Sequence, residues 1–154
     1  MFVTQIWARL ESIRSLKFES VSRTGIGWSG RGSGQVEVSS PAEGVLVFHE
    51  SGSWTQNGGR ELRFSNVYRW SLSENSIALE HLRFGVDKPV WLFQLAPDEN
   101  GLWRKDVPHP CRDDCYSATM RSAGEMVFLE WQVRGAKRDE TISYVYNRTT
   151  RNDY

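Results

Sequence analysis

Apolar and polar residues alternate with period two in run after run across residues 16–148, and no second helical pattern interrupts them. This constrains the fold more than anything else in the chain, because a strand's successive side chains point to opposite faces and one face needs cover. The runs occupy residues 16–20, 35–39, 45–51, 60–71, 76–84, 89–95, 116–121, 126–134 and 141–148. Turn formers separate them, among them Pro41-Ala42-Glu43-Gly44, Asn57-Gly58-Gly59, Ser73-Glu74-Asn75, Gly85-Val86-Asp87 and Ser122-Ala123-Gly124. Connections this short join antiparallel neighbours and leave no room for βαβ crossovers. About nine or ten strands in series predict an all-β fold, an antiparallel up-and-down barrel whose closure removes exposed sheet edges.

Two segments depart from plain alternation. Near the N-terminus, Val3, Ile6, Trp7, Leu10 and Ile13 form one apolar stripe at helical spacing, which predicts a helix over about residues 2–14. Its stripe needs a surface to cover, and a barrel end supplies one. In residues 25–34 the glycines alternate, as in Gly30, Gly32 and Gly34, so that they line one face of a strand. Glycine there lets a strand coil sharply or lets another backbone come close. A dinucleotide loop is excluded by the spacing and by the lack of a following helix. No linker or repeat divides the chain, and residues 1–154 read as a single domain.

Charge narrows the partners. Nineteen Lys and Arg balance 19 Asp and Glu, so the net charge is zero. Nucleic-acid binding draws on a cationic excess that is missing here, so no nucleic-acid partner is expected. Four of the cations are lysines (Lys17, Lys88, Lys105, Lys137) and the rest are arginines, beside seven Trp, five Tyr and seven Phe. Arginine forks pair with carboxylates and stack on rings. No run reaches the ~18 apolar residues of a membrane span, and Arg9, Glu11 and Arg14 break up any signal-peptide core. A cytoplasmic protein with no membrane partner is the expectation, with Cys111 and Cys115 kept as thiols.

Several strand faces are apolar and aromatic with one or two polar groups, the composition of a small-molecule pocket. A barrel of this size is either hollow or filled. If hollow, the expected ligand contacts are Tyr68, Arg69, His81, Arg83, Glu130, Tyr144 and Arg148, with Arg83 and Arg148 serving an anionic ligand. The longest irregular stretch, residues 98–115, reads as an ordered loop over one barrel end, where His109, Cys111, Asp114 and Tyr116 shape the mouth. His109, Cys111 and Cys115 have no second ligand pair elsewhere in the chain, so no metal site is expected. An enzyme in the same cavity would pair a histidine with Glu130 or Asp114 as acid and base. A protein-interaction module would instead have a filled barrel and an exposed apolar patch.

The chain resembles a family of bacterial and eukaryotic proteins defined as a domain of unknown function. The matching pieces are Phe48-His49-Glu50-Ser51-Gly52, Val67-Tyr68-Arg69-Trp70, Phe93-Gln94-Leu95, the run His109-Pro110-Cys111-Arg112-Asp113-Asp114-Cys115-Tyr116, Trp131-Gln132-Val133-Arg134-Gly135-Ala136-Lys137 and Tyr144-Val145-Tyr146-Asn147-Arg148. The His-x-Cys-x-x-Asp-x-Tyr piece is the most specific. Ala136 stands where family members often carry proline. The resemblance implies a lipocalin-like, calycin-like barrel with a cavity, and no reaction or catalytic residues. Trp28-Ser29-Gly30 is also similar to a short motif of haem-binding nitrobindin-like barrels, which implies haem as an alternative to the expected lack of a cofactor.

Overall fold

The computed structural model describes residues 2–24, 29–105 and 115–149. One helix, α1 (Phe2–Glu11), precedes β1 (Ser15–Ser22), β2 (Gly30–Ala42), β3 (Val45–Gln56), β4 (Glu61–Leu72), β5 (Ile77–His81), β6 (Val90–Pro97), β7 (Trp103–Lys105), β8 (Cys115–Ala123), β9 (Met126–Arg134) and β10 (Asp139–Asn147). Each strand pairs antiparallel with its successor, and β1 also pairs with β10, from Ser15 opposite Asn147 to Ser22 opposite Glu140. The ten strands therefore close into an up-and-down barrel, as the alternation predicts. Tight turns hold the hairpins: Gly44 sits at φ +72° between β2 and β3, a conformation that costs glycine little and other residues much. No described helix is long and apolar enough to cross a membrane.

The helix closes one end. Ile6, Leu10 and Ile13 are almost wholly buried and Trp7 nearly so, which places the predicted stripe on the barrel. The helix stops at Glu11, short of the expected Arg14, because the sheet takes over the backbone. Ser12 and Ile13 donate to Arg9 and Leu10 in a tightened last turn, while the Arg14 N–H donates to Asn147 O and its carbonyl accepts from Val36. Leu16, Phe48, Met120, Val127 and Leu129 fill the barrel's inside toward this end. Each large apolar side chain buried in this way contributes roughly 1.5–3 kcal/mol.

Gly30, Gly32 and Gly34 face inward on β2. A Cβ on Gly34 would run into the Ser51 carbonyl and the Gly52 backbone, and one on Gly52 into the Ser33 carbonyl. Gly34 and Gly52 are direct register partners. Glycine at both positions lets β2 and β3 coil closely around one another, while the Phe18 ring lies over Gly32.

The structure corrects three expectations. Residues 98–115 are not one loop: Asp98 Oδ1 accepts from the Asn100 and Leu102 N–H groups, and this tight turn starts β7, which is too short to show a period. β5 ends at His81, so Arg83 falls in the β5–β6 connection. Cys115 is disulfide-bonded and not a thiol.

Candidate functional site

At the end opposite α1, Phe18 and Ser20 of β1, Trp54 of β3, Phe64 and Asn66 of β4, and Ile142 and Tyr144 of β10 line a cavity of about 240 Å³. The space lies where β2, between β1 and β3, presents glycines to the interior. The walls are aromatic and mutually braced. Phe18 meets Phe64 edge-on at 5.4 Å between ring centres and Tyr144 at 5.7 Å. Tyr144 lies parallel to Tyr146 at 5.5 Å and stacks on Trp131 at 6.2 Å. The barrel is thus filled toward the helix and hollow toward the far end.

A polar cluster adjoins the cavity on the helix side. Glu50 is 1% exposed, and the Tyr146 hydroxyl donates to its Oε2 at 2.7 Å. Its Oε1 has no hydrogen-bond partner among the described residues, nor do Trp131 Nε1 and Trp70 Nε1. Asn66, which lines the cavity, is the cross-strand partner of Glu50 on the same face. Tyr144 also lines it, and its hydroxyl is hydrogen-bonded to that of Tyr68. Burial pushes the Glu50 carboxyl up to about 8, against the opposing pull of the Tyr146 hydrogen bond. Burial, then the nearby Glu50 charge, also raises Tyr68; burial is likewise the first cause at Tyr144 and Tyr146. The cluster can hold a proton on a carboxyl at neutral pH, which is a feature of acid–base and ligand sites.

A family model for proteins of unknown function, DUF6314, matches residues 18–148, from within β1 to just past the end of β10. The chain belongs to the DUF6314 family. No curated protein matches this DUF6314 chain. Two solved structures are similar to it. One, "Structure of EF1p2_mFAP2b bound to DFHBI", is 7% identical with a TM-score of 0.44 and covers 92% of this chain and 96% of that one. The other, "Structure of a redesigned beta barrel, mFAP1, bound to DFHBI", is 7% identical with a TM-score of 0.42 and covers 91% and 97%.

The DUF6314 barrel brings together some of the residues expected at a ligand. Tyr68 and Tyr144 lie inside, and His81 stacks on Tyr68 with ring centres 4.7 Å apart. Burial, then the Arg83 charge, lowers the His81 pKa. Tyr116 faces inward beside Trp131 at 6.2 Å. Four others are not in the cavity. Arg69 is on the outer face of β4, bound to Glu80 at 2.8 Å. Glu130 is exposed on the outer face of β9, because Leu129 and Trp131 take the inner face. Arg148 pairs with Glu125 at 2.9 Å by the helix end, and Arg83 lies over the exposed Phe84 ring. Among the described residues no histidine therefore meets Glu130 within the barrel. His109, Cys111 and Asp114 lie outside the described residues. Glu50, Asn66 and Tyr146 were not among the expected contacts. The signal for Glu50 was present: it follows Leu46 and Phe48 on one face of β3, a carboxyl on an otherwise apolar face.

Proposed function

We propose that the barrel is a small-molecule binding protein that takes a partly apolar ligand in the cavity between Phe18, Trp54, Phe64 and Tyr144. The cavity carries the reading. It is concave, walled by aromatic side chains, and supplied with a few polar groups (Ser20, Asn66 and the Tyr144 hydroxyl) beside a buried carboxyl, the composition that binding pockets share. At about 240 Å³ it suits a ligand smaller than most drug-sized molecules. The calycin-like kinship and the lack of a nucleic-acid partner belong to the same proposal. The disulfide at Cys115 weighs against the cytosolic location expected from the sequence, since reducing compartments keep such pairs as thiols.

The test is methyl NMR at Ile142 during titration with benzyl alcohol, a neutral probe of suitable size. Saturable shifts at Ile142 are expected. Ser20→Phe, which fills the cavity from β1, should abolish them while leaving the other methyl signals dispersed. A folded wild-type protein whose Ile142 signal ignores benzyl alcohol and other small aromatics would overturn the reading.

A further inference from the structure

We infer that the cavity takes an organic cation, an alkylammonium group seated among Phe18, Trp54, Phe64 and Tyr144 with its charge turned toward Glu50. The inference rests on the ligand-binding reading above and names the ligand's chemical class.

Three observations carry it. The walls come first: four rings from β1, β3, β4 and β10 surround one space, and a cation held over ring faces away from water is attracted by their quadrupoles. The second is the sign of the interior charge. Among the described residues the lining holds no Lys or Arg, and the arginines Arg69, Arg83 and Arg148 lie outside the cavity. Two carboxylates are buried on inward-facing strand positions. Glu140 is closed off by Arg138 at 2.9 Å, whereas Glu50 has no cationic partner in the salt bridges of the described residues. Among the described lining residues an anionic ligand would therefore find no counter-ion, whereas a cationic one would have the Glu50 carboxyl beyond Asn66. The third is the unsatisfied atom. Glu50 Oε2 accepts from Tyr146, and Oε1 is buried without a partner. A native buried acceptor in that state calls for an absent group to complete it. Asn66 and Tyr144 line the cavity and border the cluster: Asn66 is the cross-strand partner of Glu50, and Tyr144 stacks on Tyr146.

Proton balance gives the idea a second readout. The groups facing Glu50 are Tyr68 and Asn66 on β4 and Tyr144 and Tyr146 on β10, while Val36 opposite it on β2 is apolar. The three tyrosines are raised and keep their protons. His81, beyond Tyr68, is lowered and adds little positive charge near neutral pH. A bound ammonium favours the carboxylate, so below about 8 the Glu50 proton passes to solvent as the cation enters. Affinity for a cation then strengthens as pH rises toward that value and levels off above it.

3,3-Dimethylbutylammonium and 3,3-dimethylbutan-1-ol have nearly the same shape and differ in charge, and the ammonium carries the N–H donors that Glu50 Oε1 lacks. Their affinities are to be measured by calorimetry on the full chain, with Ile142 methyl shifts reporting the location. At a pH of about 8, the ammonium should bind at least roughly tenfold more tightly than the alcohol. That advantage should shrink on going down to a pH of about 6, and in Glu50→Gln it should fall to the part the rings supply and lose its pH dependence. Equal binding, or preference for the alcohol, would overturn the cation and leave the cavity reading standing. Silence of both probes and of benzyl alcohol at Ile142 would overturn the cavity reading and the cation with it. Should Glu50→Gln fail to fold, the wild-type series decides: an ammonium affinity flat over that pH range overturns the inference.

Discussion

Glu50 leaves its mark on the pH dependence of folding. Its carboxyl titrates near 8 in the folded chain, against an ordinary value of 4.5. Below the lower value both states hold the proton and the residue is neutral in the balance. As pH climbs toward 8, the unfolded chain sheds the proton and the folded chain keeps it, so stability falls across that window and is constant above it. The loss is on the order of several kcal/mol. Urea unfolding of wild type and Glu50→Gln at both ends of the window should show a gap that grows in the variant's favour as pH rises. A gap that does not change with pH would mean that the carboxyl titrates normally. The same residue shows what the sequence conceals. Its place on an apolar face was readable from Leu46 and Phe48. That this face is the inner one, and that a tyrosine 96 residues away supplies the hydrogen bond, depends on which strands close the barrel. On β9 both faces carry large apolar residues, Met126 and Phe128 against Val127, Leu129 and Trp131, so alternation alone does not say that Glu130 points outward.

Among the elements, β2 and β3 show how backbone proximity replaces side-chain packing. Gly34→Ala places a methyl against the Ser51 carbonyl and the Gly52 backbone, neither of which can move without breaking the β2–β3 ladder. The variant should lose more than about 2 kcal/mol in thermal or urea unfolding. A loss within experimental error would mean that the two strands have room to separate. The alternating glycines made this strand legible as a place of close approach, and their sharing one face followed from their spacing. β7 was not legible for the opposite reason. Three residues, with Trp103 buried just after a tight turn, contain no repeat to detect. Arg83 was misplaced because the alternation of β5 continues on paper past His81, while Leu82 donates its N–H to Val67 and the chain turns away.

For the molecule as a whole, α1 substitutes for the polar cap that an open barrel end would need. Leu10 is fully buried at the centre of that contact, and Leu10→Ala should cost about 2–5 kcal/mol by the usual penalty for an unfilled core site. Its effect on small-molecule binding at the opposite end should be slight once the protein is folded. A variant with normal stability would mean that the helix rests on the barrel without sealing it. The closed ring of strands was the most readable property of the chain, since ten short antiparallel elements with exposed edges would be an aggregation hazard. The division into a filled half and a hollow half was not readable, because it depends on which inward positions are glycine and on where the helix docks.

Because the helix end is packed solid, the cavity is a blind well and not a tunnel. A ligand bound there as proposed would arrive and depart at the end away from the helix, entering with the group that sits deepest leading. A second molecule cannot push the first out from behind. Exchange would then be sequential, vacancy before replacement, and the rate of emptying would limit how fast one occupant succeeds another.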